Sequence, residues 1–361
     1  IYEGETYDAR LEHEGWTGAG FDDSSWKSVS VQDFPKDNLV SPAGPPVRNA
    51  AALKACAEGG VSALVAKTIS TEAAQVPTPN MADFKSYFLN TERWSELPPE
   101  QWIADEYPQA RATADDTSLP LIVGLGYTTE EIRILAPKVA PFADAVELST
   151  HYIGDDPGPM QETIRAAKDA LDVPVLVKLS PFRDAHRAAI AAQEAGADAI
   201  VAVNSFGPTF GIDIENGGRP WMGSANGYGW LSGPALKPLA LRVVNEVARV
   251  VDIPVIGVGG ITTGTDVVEF LMAGATAVQV CTAAITKGPS IFGKLAKQLD
   301  RWLDKYDYAS VEEIQGLTLK QAVPTMTNPP ELLPERCIGC NRCVTSCVYD
   351  ALYLEEKKIH S

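Results

Sequence analysis

The 361-residue sequence contains no lysine- or arginine-rich block, and no apolar run approaches the roughly 20 residues needed to cross a bilayer. Forty-seven acidic residues against 30 basic ones give a formal net charge of −17, which excludes nonspecific attraction to nucleic acid or anionic lipid. No segment at the start has the order of a signal peptide, and no G-x-G-x-x-G dinucleotide fingerprint follows a strand-like run. A disulfide framework is also missing. Four of the six cysteines crowd into residues 337–347, while Cys56 and Cys281 stand alone in apolar surroundings. These absences lead to the expectation of a soluble, cytoplasmic protein in a reducing compartment, with neither membrane nor nucleic acid as partner.

What is present is a repeated unit. Three segments begin at proline and run into an apolar strand: LPLIVGLGY (119–127), VPVLVKLSP (173–181) and IPVIGVGGI (253–261). Three more begin where a helix stops at glycine: AEGGVSALVAK (57–67), EAGADAIVAV (194–203) and MAGATAVQV (272–280). Short strands rich in valine and isoleucine suit a parallel sheet buried on both faces. Amphipathic helices lie between them, the clearest over 235–251, where Leu236, Leu239, Ala240, Val243, Val244, Val247 and Val251 keep one apolar face. With LVSP (39–42) and DAVEL (144–148) the strands number eight. The pattern predicts a (β/α)8 barrel over residues 30–305, with a doubly wound sheet as the alternative. Residues 306–336 read as a linker and 337–361 as a small ferredoxin-like iron–sulfur module.

A barrel of this kind carries its active site at the C-terminal ends of the strands. Two features stand out there. Gly257, Gly259 and Gly260 after the seventh strand and Thr282 after the eighth occupy a phosphate-gripping position, which aldolases and isomerases share. Lys178 places a charge at the end of an apolar strand.

Several of these stretches resemble the dihydroorotate dehydrogenase superfamily: SPAGPPVRNA (41–50), VAKTIS (65–70), VLVKLSPF (175–182), AVNSFGP (202–208), the long GRPWMGSANGYGWLSGPALKPLALRVV (218–244), VIGVGGI and AVQVCTAAI (277–285). Within it the likeness is to the dihydropyrimidine dehydrogenase branch, whose barrel binds FMN and whose chain carries iron–sulfur clusters. The resemblance implies that Ala43, Gly44, Lys67 and Thr68 line the flavin and that Lys178 sits by its pyrimidine edge. It gives the ribityl phosphate to Gly233, Gly259, Gly260, Cys281 and Thr282. Asn90, Ser149, Asn204 and Ser205 fall at substrate-binding positions. A fixed ammonium suits this place, because a reduced flavin gathers negative charge near N1 and the C2 carbonyl.

One loop departs from the family pattern. Where an E-L-N-x-S-C-P-like motif supplies the proton-handling cysteine or serine, this chain reads AVELSTHYIGDDPGP (145–159), with Ser149 in place of the asparagine and Tyr152 in the cysteine's place. His151 and Tyr152 are therefore the candidates for the proton donor. The lost asparagine argues against uracil or thymine and leaves an unsaturated amide, acid or ring compound as substrate.

The spacing C-x2-C-x2-C-x3-C (Cys337, Cys340, Cys343, Cys347) predicts a [4Fe–4S] site, with mononuclear zinc as the lesser alternative. In two-cluster ferredoxins the fourth cysteine of such a run serves the other cluster, so Cys347 is an awkward fourth ligand. Residues 1–29 resemble the opening of a sugar-binding module of bacterial α-L-rhamnosidases and are expected to form an N-terminal arm. No paired-carboxylate motif accompanies them.

The reading is an FMN-dependent oxidoreductase acting on a CH–CH group, with a small unsaturated substrate, a homo- or hetero-oligomer fed by a ferredoxin or an NAD(P)H-oxidising flavoprotein subunit. Two alternatives stand beside it. One is a flavin-free barrel lyase or aldolase using Lys178 as a Schiff base; the other is a non-catalytic electron-transfer subunit.

Overall fold

The computed structural model describes residues 39–40, 44–149, 156–181, 184–322, 331–348 and 350–360. The N-terminal arm, Ala43, His151 and Tyr152 lie outside these residues.

All eight expected strands form one parallel sheet: Leu39–Val40 (β1), Leu64–Ile69 (β2), Leu121–Leu125 (β3), Ala145–Ser149 (β4), Val175–Leu179 (β5), Ala199–Ala202 (β6), Val255–Val258 (β7) and Ala277–Gln279 (β8). Their spatial order is β1-β8-β7-β6-β5-β4-β3-β2. A parallel bridge between Val40 and Ala63 brings the two ends of that order together, as a TIM-like barrel requires. The doubly wound alternative is thereby overturned.

Two cores follow from the alternation of side chains along each strand. Val65, Ile122, Ala145, Leu176, Ala199, Val201 and Val258 pack together with Val40 and Ala63. Their strand neighbours, among them Leu64, Val123, Val146, Val177 and Ile200, join the larger core shared with the helices. The helix expected over 235–251 spans Lys237–Ala248 and buries Ala240, Val243, Val244 and Val247.

The long excursion after β2 and the segment after β6 meet in a four-stranded antiparallel sheet. Its order is Met81–Asp83, Phe88–Asn90, Tyr228–Ser232, Phe206–Phe210. This accessory sheet brings Asn90 and Trp230, distant in sequence, into register.

The chain divides into two units, with the boundary after Leu319. Residues 306–319, expected as the first part of the linker, fall in the first unit. Val311 and Ile314 are buried in the first unit's core, because they carry apolar side chains that the barrel helices can cover. The second unit contains a short helix, Arg342–Ser346, and a hairpin of Tyr353–Glu355 with Lys358–His360. Among the described residues no helix is long and apolar enough to cross a membrane.

Candidate active site

The period of two that packs the barrel interior also builds the site. Ala145 faces inward on β4, so Glu147 and Ser149 lie on the same face. Leu176 and Lys178 stand in that relation on β5, as do Val65 and Lys67 on β2 and Ala277 and Gln279 on β8. Three of these side chains close on one another. Lys178 Nζ donates to Glu147 Oε1 at 3.1 Å and to Gln279 Oε1 at 2.9 Å, and Gln279 Nε2 donates to Glu147 Oε2. Glu147 and Gln279 are fully buried and Lys178 is 8% exposed. Charges taken out of water persist only when paired and hydrogen-bonded, and here each has the other and the amide between them. The result is an ammonium held in one place at the cavity wall.

Lys67 forms a second pair. Its Nζ lies 2.8 Å from Glu92 Oε2 and 3.6 Å from Glu96 Oε2, and Asn80 Nδ2 fixes the other Glu92 oxygen at 2.7 Å. Across the mouth, Gly233, Gly259 and Gly260 all have positive φ (76°, 134° and 74°). At Gly260 an added Cβ would lie 2.8 Å from the Gly233 carbonyl and 2.9 Å from the Lys237 nitrogen, so backbone packs directly on backbone there. Thr282 Oγ1 donates to Ser232 Oγ at 3.0 Å.

Cys281 lies beside these groups. Burial pushes its thiol up to about 11, against the favourable charge of Lys178, and a protonated thiol at neutral pH fits a packing role. Cys56 is likewise raised, to about 12, by burial and by Cys281.

The described residues expected to hold flavin or substrate line one cavity: Gly44, Lys67, Thr68, Asn90, Ser149, Lys178, Asn204, Ser205, Gly233, Gly259, Gly260, Cys281 and Thr282. Gly257 does not join them: it lies within β7, where an added Cβ would meet the Phe270 side chain at 2.5 Å. Two of the amides are partly engaged. Asn90 Nδ2 donates to the Trp230 carbonyl at 3.2 Å, and Asn204 Oδ1 accepts from the Ser205 nitrogen at 2.8 Å. Glu147, Gln279, Glu92, Arg93 and Tyr127 also line the cavity and carry no role in the sequence reading. The first two had a usable signal: each is a polar residue at an inward position of an otherwise apolar strand. Glu92 and Arg93 had none, since their approach depends on the accessory sheet.

The cavity fits the flavin that the resemblance implies. It offers a fixed ammonium, a wall of glycines whose backbone amides a phosphate can approach, and polar side chains at the opposite strand ends.

The second unit is a different case. Among the described residues no group of three or more potential ligands converges, although all four tail cysteines are described. Cys340 and Cys343 are exposed. The Cys337 thiol is instead engaged by the hairpin, donating to the Lys357 carbonyl at 3.6 Å and accepting from the Gly339 nitrogen at 3.4 Å. Among the described residues the four expected metal ligands are not brought together.

Comparison with known proteins agrees with the barrel. The family profile described as Dihydroorotate dehydrogenase matches residues 29–303. A dihydroorotate dehydrogenase B (NAD(+)) catalytic subunit from Methanocella arvoryzae is 35% identical over 294 residues, covering 78% of this chain and 94% of its own. The subunits of the same name from Pyrococcus furiosus and Pyrococcus abyssi are 36% and 43% identical, covering 72% and 56% of this chain and 88% and 70% of theirs. The profile described as Alpha-L-rhamnosidase N-terminal domain matches residues 1–51, in keeping with the local likeness of the first 29. From the barrel, its cavity and these matches together, the chain belongs to the dihydroorotate dehydrogenase family.

Proposed function

We propose that the chain is an FMN-dependent oxidoreductase that adds or removes two hydrogens across an activated carbon–carbon bond of a small compound. The observation that carries this reading is the buried Lys178–Glu147–Gln279 group, which fixes an ammonium among glycines with positive φ in a single cavity. When bound, FMN accepts or delivers hydride at one substrate carbon. Lys178 would stabilise the negative charge of the reduced ring, and Gly233, Gly259, Gly260 and Thr282 would bind the phosphate. Gly44, Lys67 and Thr68, with Ala43 from the sequence pattern, would line the ring. Asn90, Ser149, Asn204 and Ser205 would orient the substrate, and His151 or Tyr152 is the sequence-based candidate for the proton. Both hydrogen-bond partners of the Lys178 nitrogen support this reading over a Schiff-base lyase, which needs a free amine.

Chemistry of the dihydropyrimidine dehydrogenase type is part of the proposal, on the strength of the sequence likeness alone. The relatives are named as catalytic subunits, which supports a redox partner protein as electron source. The C-x2-C-x2-C-x3-C spacing of the tail supports a [4Fe–4S] site there.

The test is single-turnover. Chain loaded with FMN and reduced anaerobically is mixed with a panel of unsaturated amides, acids and ring compounds while flavin absorbance is followed. Reoxidation by at least one alkene supports the proposal; protein that retains no flavin, or reduced flavin that no member of the panel reoxidises, contradicts it.

A further inference from the structure

The proposed reaction delivers hydride to one carbon and requires a proton at its neighbour. The geometry points to Tyr127, at the end of β3, as the side chain that supplies that proton. This inference rests on the flavin reading above.

Three observations place the phenol. Tyr127 lines the same cavity as Lys178, Asn90 and Asn204. It rises from the strand next to β4, and its hydroxyl is hydrogen-bonded to the side chain of Ser149, the last residue of β4. Its orientation is fixed at both ends. The Tyr127 nitrogen donates to Glu131 Oε2 at 3.0 Å, and the same carboxylate closes the Thr128 capping box of the following helix. The ring meets the edge of Trp94 at 5.4 Å between centroids, and Trp94 is itself held by a 2.7 Å bond from its indole nitrogen to the Glu72 carbonyl.

The electrostatics keep the phenol protonated at rest. Burial, with Glu131, raises the phenol above its ordinary range, so the proton is in place at neutral pH. The Ser149 hydrogen bond and the Arg93 charge favour the phenolate that proton transfer creates. Arg93 is an exposed lining residue of the cavity and has no ion pair among the described residues. The balance is complete. The substrate double bond gains hydride from the reduced flavin at one carbon and the Tyr127 proton at the other, and the phenolate recovers a proton from solvent.

The experiment compares the FMN-loaded, reduced full chain with its Tyr127→Phe variant on two substrates. One is an unsaturated amide or ketone that the wild-type chain reduces. The other is a nitroalkene, whose hydride adduct is a stable nitronate that needs no proton from the protein. Phe keeps the ring against Trp94, and flavin content and substrate dissociation constant, read from perturbation of the flavin spectrum, are expected to stay unchanged. Reoxidation by the first substrate should slow about 100-fold or more, and reoxidation by the nitroalkene should hold its wild-type rate. Ser149→Ala should slow the first by about tenfold. Equal rates for Tyr127→Phe and wild type on both substrates overturn the inference, and so does an equal loss on both, which marks a structural role. A slow His151→Gln or Tyr152→Phe beside an unaffected Tyr127→Phe returns the proton to the loop after β4. Failure of the wild-type chain to reduce any alkene instead overturns the reading on which the inference rests.

Discussion

The barrel mouth and the tail of this chain assemble their chemistry in opposite ways. At the mouth, Glu147, Lys178 and Gln279 come from three strands and span more than a hundred residues, yet they meet within hydrogen-bonding distance. In the tail, four cysteines lie within eleven positions and converge on nothing among the described residues. The difference teaches that closeness in sequence is weaker than shared geometry. A barrel imposes positions on its inward side chains, whereas a short segment with one helix and one hairpin leaves its ligands where the chain happens to turn. Metal sites of that kind draw on the binding free energy of the ion itself to organise their ligands.

The largest expected effect breaks the mouth. Lys178→Met leaves Glu147 charged and unpaired in the interior, which should cost about 3–5 kcal/mol in urea unfolding and abolish flavin retention. Glu147→Leu in the same chain should return most of that stability without returning the flavin, because two apolar side chains remove the buried charge and not the need for an ammonium. If flavin returns with stability, the role assigned to Lys178 is wrong.

Thiol reactivity sharpens the contrast between the regions. In metal-free chain at neutral pH, iodoacetamide should modify the exposed Cys340 and Cys343 at least about 100-fold faster than the half-buried Cys281 and the buried Cys56, whose thiols are raised to about 11 and about 12. Mass spectrometry of the modified peptides checks this. Comparable labelling at all positions would remove the distinction.

A glycine at the mouth should follow. Gly260→Ala forces a side chain into the left-handed region at φ 74° and against the Gly233 carbonyl, so a loss of about 1–3 kcal/mol and weaker flavin binding are expected. Gly217, also at positive φ but with nothing within 4 Å of an added Cβ, is the control and should lose less.

Much of the mouth was legible before the structure. Proline and glycine punctuation marked six of the eight strands, and Lys178 declared itself as a charge closing an apolar strand. Glu147 and Gln279 obey the same period of two and were readable by it, but their partnership was not, since it depends on which strands become neighbours when the barrel closes. The Glu92–Lys67 pair was harder still, because Glu92 reaches the site through an accessory sheet whose strands come from residues 81–90 and 206–232. Tyr127 was hidden in a strand end written GY, where glycine drew the eye. Residues 306–319 passed for linker because they follow the last barrel helix and run into a proline-rich stretch, and the burial of Val311 and Ile314 depends on the fold.

The smallest expected effect concerns the cap under Tyr127. Glu131 sits below its ordinary range: burial opposes this, and hydrogen bonds from Ser70, Tyr127 and Thr128 outweigh burial. A depressed carboxylate adds stability above the range in which the unfolded chain titrates and loses it as pH falls through the folded value. Glu131→Gln should therefore lower stability by about 1 kcal/mol at neutral pH and flatten the acid side of the stability curve. An unchanged curve would mean that the cap does not hold this strand end.

The most direct measurement is titration of the flavin-free 361-residue chain with FMN, followed by flavin fluorescence and absorbance, beside the Lys178→Met variant. The account predicts tight, stoichiometric binding by the wild-type chain and a large loss in the variant. Equal binding by both, or none by the wild-type chain, would contradict it.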